Sequence, residues 1–356
     1  AIHLMKTELE TANLWDDAKK MVEWYVGLDG IWDKNALNSN MDDALTRSIT
    51  RLGACLYKET DVQKVQYLKG YKLFLETYFT LRNTTGSGIK TDFSGFHHDT
   101  FYPGYSFLAN NQLALVFNFL SDTNFKMNTT SSSVLKKSLL VSRVISSSGD
   151  IPNSLSGRNP FLNPSFKSGL KSYGLSKPED EQVIEAYNYL YGSDNQTITY
   201  GVEDSPNGFW QVNFGNLGVY RQQDWVANVK GFNKHFWGAE IYSSENRYGR
   251  YQSYGALEIK NRGGYEANNF NKNGWDWNKI PGTTTKLLSW NNLVAQNARQ
   301  DETTDSNFAS SLRFKIKNNS YIDDKIEGKY GVFGMNFIQK KLSSSHDDSF
   351  KFKKSV

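Results

Sequence analysis

Through roughly the first two hundred positions apolar residues recur at helical spacing; beyond them they alternate. In 42–57, Leu45, Ile49, Leu52 and Leu56 follow steps of four, three and four, which is one face of a helix. Asp42 and Asp43 suit the positive end of its first turn. Trp15, Ala18, Val22 and Tyr25 predict a helix over 13–26, and 61–80 begins on Asp61 and is rich in helix formers. Asn83-Thr-Thr-Gly-Ser-Gly-Ile89 interrupts the pattern as a loop. Helical spacing returns over 106–121 (Leu113, Val116, Phe117, Leu120), 132–146 and 179–191, the last opened by Pro178-Glu-Asp-Glu.

After about residue 204 the texture changes. Trp210, Val212 and Phe214 alternate with polar or small neighbours, as do Trp225, Ala227 and Val229. Short strands separated by Asn/Gly turns are predicted over 217–222, 225–230, 239–243, 252–260, 284–289, 310–316 and 330–339. Runs of strands after runs of helices predict an α+β chain of two parts: helices over 1–204, then an antiparallel β domain over 205–356, joined near Ser205-Pro-Asn-Gly. Six helices are few for a closed array, and Lys351-Phe-Lys-Lys-Ser-Val carries no stop to the β pattern. The expectation is therefore a piece, or the ordered part, of something longer.

With 38% hydrophobic residues in 356, the chain can build a sizeable core. Mean hydropathy is −0.60 and no apolar run reaches the roughly 18 residues of a transmembrane helix. The opening Ala-Ile-His-Leu-Met-Lys lacks a basic stretch followed by an apolar one, so a signal peptide is absent or already removed. A single cysteine, Cys55, excludes an intrachain disulfide and a cysteine zinc cluster. A net charge of +4 weakly favours an anionic partner. The basic residues are scattered and no nucleic-acid motif accompanies them. Aromatic residues reach 14% (9 Trp, 20 Tyr, 22 Phe), which suits either rings stacked on sugars or a large β-sandwich core. The four Asn-x-Ser/Thr sequons, at Asn83, Asn128, Asn195 and Asn318, are what an Asn-rich chain carries by chance.

Three segments combine titratable side chains with turn formers. Gly95-Phe-His-His-Asp-Thr-Phe-Tyr-Pro-Gly-Tyr-Ser-Phe107 sets His98 and Tyr105 about a Pro103-Gly104 turn; this suits either acid–base work on a carbon acid or a buried mutual hydrogen bond. Ser156-Gly-Arg-Asn-Pro-Phe161 presents Arg158 from a loop, as a carboxylate clamp or an ordinary surface arginine. The stretch 237–252 places Glu240, Glu245, Arg247 and Arg250 among aromatic residues, on a predicted strand–turn–strand. Gly274-Trp-Asp-Trp-Asn278 suits a sugar platform or a packed corner. There is no Gly-x-Ser-x-Gly, no phosphate loop and no zinc spacing around His97-His98-Asp99.

In their order, His-x6-Tyr, Gly-Arg-x-Pro-Phe, Glu-Ile-Tyr-x4-Arg-Tyr-Gly-Arg-Tyr-Gln-Ser and Gly-Trp-Asp-Trp-Asn, these segments resemble polysaccharide lyase family eight, and within it the chondroitin sulfate ABC lyases. Weaker similarity runs from about residue 40 to the C-terminus, including Lys64-Val-Gln-Tyr-Leu68. The resemblance implies an incomplete α/α toroid followed by an antiparallel β-sandwich or super-sandwich, in a chain shorter than the ABC-type members. It carries over His98, Tyr105, Arg158 and Glu240 as catalytic residues. Around them it suggests His97, Asn159, Arg247, Arg250, Trp237, Trp275 and Trp277 as substrate contacts. His97 stands where close relatives often have Arg, which lessens the positive charge beside the site.

The implied reaction is β-elimination at a uronic acid of an anionic glycosaminoglycan: chondroitin or dermatan sulfate, or hyaluronan. Arg158 would neutralise charge building on the carboxylate. Tyr105 would carry protons, its pKa pulled below the ordinary value of about 10 by Arg158 and a histidine. Glu240 would orient Arg158 or Tyr105. His98 would alternatively be the base for the opposite C5 epimer. No redox cofactor is implied; a calcium or magnesium ion is compatible with an anionic polymer, though no ligand cluster is visible. A monomer, secreted or periplasmic, with no membrane or nucleic-acid partner, is expected. The rivals are a glycoside hydrolase, which needs two carboxylates about 5–10 Å apart, and a non-catalytic glycan-binding fragment.

Overall fold

The computed structural model describes residues 2–33, 41–147, 150–158, 165–191, 206–222, 225–241, 246–261, 275–295 and 303–356. The helical part contains α1 (Lys6–Thr11), α2 (Trp15–Val26), α3 (Met41–Leu56), α4 (Asp61–Tyr78), α5 (Pro103–Leu120), α6 (Thr129–Ile145), α7 (Lys167–Ser176) and α8 (Glu181–Tyr191). Local chemistry sets several of their ends. Thr60 and Gln63 form a reciprocal capping box at α4, the Asn128 side chain caps α6, and α2 stops at Gly27 in a left-handed conformation. α5 is apolar nearly all round, so it is buried all round: it packs between α3 and α7 with α6 alongside. α1 and α7 were not anticipated. α7 contains Gly169 and Gly174, poor helix formers, but Gly169 lets the helix approach α5, where the Asn111 side chain accepts its N–H at 2.8 Å.

Between α4 and α5 lies a small antiparallel sheet: β1 (Gly88–Ile89), β2 (Gly95–His97) and β3 (Thr100–Phe101). The second part holds β4 (Gly208–Val212), β5 (Leu217–Gln222), β6 (Trp225–Lys230), β7 (Ala256–Lys260), β8 (Phe308–Phe314), β9 (Glu327–Gly328), β10 (Tyr330–Ile338) and β11 (Lys351–Ser355). One five-stranded antiparallel sheet has the order β7-β6-β5-β4-β9, and a three-stranded one the order β11-β10-β8. The two are packed together; Gly331 lies against the Phe209 ring, where a Cβ would sit 2.2 Å from a ring carbon.

One expected strand is not formed, and another is not formed where its residues are described. Residues 284–289 are irregular, and the described residues of 237–252 make no hairpin but a 3-10 turn at Gly249–Tyr251. Side chains replace the ladder there: Ser253 Oγ donates to Gly238 O (2.7 Å) and Asn246 to Glu240 O (2.8 Å).

One hydrophobic core runs through both parts. Val141, Val144 and Ile145 of α6 share a cluster with Trp210, Leu217, Val219 and Val226 of the inner sheet. Polar contacts reinforce the junction, because Arg221 of β5 donates to the carbonyls of Arg143, Val144 and Ser146 and so satisfies the C-terminus of α6.

Candidate active site

The β2–β3 connection has two residues, His98 and Asp99, with φ of 49° and 55°. Positive φ at both positions is what a two-residue hairpin with right-handed strand twist requires, and a histidine held there is strained. The turn is anchored on two sides. Asp99 Oδ1 accepts the Gly86 N–H (2.5 Å), and Asp99 O accepts the Trp237 N–H (3.0 Å) from the β domain. Thr100 Oγ1 donates to Trp237 O at 2.9 Å, so the segment leading to Glu240 is docked directly on the hairpin.

Tyr105 sits in the first turn of α5. Pro103 and Gly104 open that helix and do not form the expected turn: proline lacks an N–H, which the first helical position leaves unpaired anyway. Arg158 follows the 3-10 turn Asn153–Leu155, which the β domain grips from the other side: the Glu258 carboxylate of β7 accepts the N–H groups of Asn153 and Ser154, both at 2.8 Å. The Arg158 N–H donates to the buried Tyr102 hydroxyl (3.1 Å). Gly157, at φ 62°, leaves room for the Tyr102 ring.

Four side chains from three segments of the chain meet. Glu240, 5% exposed, lies 2.9 Å from His98 Nδ1 and 3.7 Å from Arg158 Nε. Arg158 Nη2 donates to the Tyr105 hydroxyl at 2.5 Å. A carboxylate can only accept, so His98 Nδ1–H donates to it, which fixes the ring orientation and leaves Nε2 outside this pair. His98 is the most exposed member, at 44%. Tyr105 departs from expectation. Burial raises its pKa above the ordinary tyrosine value, and Arg158, acting in the opposite sense, does not overcome it. In the free protein Tyr105 is therefore a neutral phenol with a cation at its oxygen.

The expected substrate contacts divide. Trp237 is partly buried beside the His98 turn, and Arg247 is exposed with its guanidinium 4.7 Å from the Tyr248 ring centre. Three others are buried. His97 is 1% exposed, with its ring 4.1 Å from that of Tyr105 and 3.8 Å from that of His98, so it packs behind the site. Burial, followed by the neighbouring His98, lowers its pKa to about 4. Arg250 is 5% exposed and bound to the His346 ring and Val294 O, so it braces the β domain. Trp277 is 7% exposed and packs in a separate hydrophobic cluster of the β domain with Phe232, Tyr251, Tyr254 and Phe337. With Trp275 it lines a cavity of about 130 Å³ bounded by Leu257, Ile280 and Pro281, apart from the four clustered residues. Asn159 and Glu245 lie outside the described residues.

Tyr102, Asn246 and Glu258 were not assigned roles from sequence, and Asp99 was considered only as a second carboxylate for the hydrolase rival. Asn246 lay in a quoted motif, whereas nothing local distinguished Glu258. Among the described residues no group of three or more His, Cys, Asp or Glu side chains is placed to hold a metal ion. Among them, too, no helix is long and apolar enough to cross a membrane.

Comparisons with known proteins agree with this layout. A family described as "Lyase, catalytic" matches residues 1–169, and one described as "Polysaccharide lyase family 8, super-sandwich domain" matches 207–356. The chain is 29% identical to chondroitin sulfate ABC endolyase of Proteus vulgaris, over 99% of this chain and 35% of that protein. It is 32% identical to chondroitin sulfate ABC exolyase of the same organism, over 80% of this chain and 30% of that protein. It thus spans about a third of the length of these curated relatives. A solved Streptomyces coelicolor A3 chondroitin AC lyase superposes with a TM-score of 0.61 at 14% identity, covering 92% of this chain and 49% of that one. At that identity the likeness establishes the fold, an incomplete toroid of helices followed by antiparallel sheets.

Proposed function

The chain belongs to polysaccharide lyase family 8, and on that premise we propose that it carries the catalytic centre of a glycosaminoglycan lyase acting on chondroitin and dermatan sulfate by β-elimination. The observation that carries this reading is the convergence of His98, Tyr105, Arg158 and Glu240 within hydrogen-bonding or ion-pairing distance.

Arg158 brings positive charge to the uronate carboxylate, so that charge developing when C5 loses its proton is stabilised. The C5–H electron pair forms the C4–C5 double bond, the C4–O4 bond breaks, and O4 takes a proton from Tyr105. A neutral phenol at neutral pH suits that donor role, and Arg158 Nη2 stabilises the phenolate left behind. Two bases serve the two C5 epimers. His98, its ring oriented by Glu240 at Nδ1, takes the proton through Nε2 from one ring face. For the other face Tyr105 must first give its phenol proton to solvent, with Arg158 Nη2 as the counter-cation; the phenolate then takes the C5 proton and returns it to O4. Ring centres 6.4 Å apart give these two bases different approaches to the sugar. No step runs through a metal or a redox cofactor.

A net charge of +4 steers an anionic polymer toward the protein. All four residues lie on one chain, which supports action as a monomer, and a polymeric substrate outside cells supports a secreted or periplasmic location. A hydrolase is disfavoured because Asp99, one of its candidate carboxylates, is engaged with the Gly86 N–H, and because that reading gives His98, Tyr105 and Arg158 no role.

The test is ultraviolet absorbance of the unsaturated product during incubation with chondroitin sulfate, dermatan sulfate and hyaluronan. The expected result is a rise that Tyr105→Phe abolishes. Cleavage without absorbance would establish hydrolysis, and retention of polymer without cleavage would establish a binding module.

A further inference from the structure

We propose that Asn246 is a positioning residue for this chemistry: one buried side-chain amide holds the loops that carry Arg158 and Glu240 against each other. The proposal rests on the lyase reading for its catalytic consequence, but not for its geometry.

Asn246 is 0% exposed. Its Nδ2 lies within hydrogen-bond distance of Glu240 O (2.8 Å), Gly157 O (3.0 Å) and Gln252 Oε1 (3.0 Å), its two hydrogens divided among the three acceptors. One of these carbonyls belongs to Glu240 itself; the other belongs to the residue immediately before Arg158. They come from opposite sides of the domain junction, in stretches where no strand ladder fixes the backbone. Gln252, the third acceptor, reaches on toward Asn153 O at 3.5 Å, at the turn that Glu258 also grips. The Arg158–Glu240 separation of 3.7 Å is thus set by where two irregular backbones stand, and a single NH₂ group ties both. Backbone carbonyls buried this way are costly to leave unpaired. If the amide is removed, the loops must part or admit water, and either moves Arg158 relative to Tyr105 and His98. A displacement near 1 Å at a reacting centre costs on the order of 100-fold in rate. The motif Asn246-Arg-Tyr-Gly-Arg-Tyr-Gln-Ser253 acquires a role at both its first and seventh positions, one fastening the site and the other extending the fastening.

The experiment compares wild type, Asn246→Ala, Asn246→Ser (which retains a hydroxyl donor) and Asn228→Ala. Asn228 is a buried amide too, donating to Ile145 O (3.3 Å) at the α6–β6 contact away from the site. The expected result is a kcat lowered on the order of 100-fold in Asn246→Ala, with KM little changed. Asn246→Ser should recover part of that loss, and Asn228→Ala should keep kcat at the wild-type level. In parallel, ¹³C-histidine NMR follows the His98 ring, expected to shift in Asn246→Ala but not in Asn228→Ala. An unmoved His98 signal with wild-type kcat in folded Asn246→Ala would overturn the proposal, and Asn246→Ser serves the same purpose if the alanine variant does not fold. A shifted His98 signal in a protein whose wild type makes no unsaturated product would overturn the lyase reading and leave the positioning role standing.

Discussion

Replacing Glu240 by glutamine tests whether a buried carboxylate organises the site. The substitution keeps the shape and removes the charge between His98 Nδ1 at 2.9 Å and Arg158 Nε at 3.7 Å. At 3.7 Å and an effective dielectric of about 20, a pair of unit charges attracts by about 4.5 kcal/mol. The His98 side chain is 44% and that of Arg158 30% exposed, so water screens part of this. A net loss of about 2–3 kcal/mol follows, which is about 30- to 150-fold in rate if it is felt in the transition state. Glutamine can still accept from His98 Nδ1–H, but its NH₂ then faces the guanidinium, so the two contacts cannot both be kept. Initial rates of unsaturated product formation on chondroitin sulfate give kcat, and ¹⁵N-histidine NMR reports the His98 tautomer. The expected outcome is a kcat reduced within that range and a loss of the Nδ1–H preference. A folded Glu240→Gln protein with kcat within about twofold of wild type and an unchanged tautomer would refute the reasoning, since about 2 kcal/mol cannot vanish into so small a ratio.

Tyr105→Phe should lower kcat by about 10³-fold or more while changing the unfolding free energy by less than about 1.5 kcal/mol, because the hydroxyl makes one hydrogen bond in a partly exposed site; urea titration beside the rate assay separates the two effects. Gly157→Ala places a methyl 2.2 Å from the Tyr102 ring at a φ of 62°. It should cost about 2–4 kcal/mol and reduce the rate with it, since the same backbone carries Arg158. His97 is held neutral, with a pKa lowered from 6.5 to about 4. The unfolded chain therefore binds the proton first, so stability present above 6.5 is lost as pH falls toward 4, by up to about 3 kcal/mol. Urea midpoints at about pH 7 and pH 4.5 should fall less steeply in His97→Phe, and an equal slope in both proteins would rule the burial argument out.

The sequence by itself determined the change from helices to strands, because periods of 3.6 and 2 are set by neighbours within a turn or a pleat. Leu45, Ile49, Leu52 and Leu56 lie in one helix, α3, as their spacing required. Strands β5 and β6 occupy the predicted 217–222 and 225–230. The spacing of His98 and Tyr105 was legible too, as were Arg158 and Glu240 once the order of motifs was read together. Tertiary structure decided the rest. Strands β1, β2 and β3, of two or three residues each, are too short to show a period, and they exist because they pair with one another and dock on Trp237. β11, Lys351–Ser355, lies in a stretch that carried no stop to the β pattern, but only pairing with β10 gives it a ladder and a register. Whether Arg250, His97 and Trp277 face a ligand or a core depends on burial by segments far along the chain, and that placed all three inside. The Tyr105 pKa followed the same logic, rising through burial where proximity to Arg158 alone pointed downward. Glu240 meets His98 across 142 positions of sequence and Arg158 meets Tyr105 across 53. Contacts of that reach are fixed by packing of the two parts on one core, which no local preference encodes.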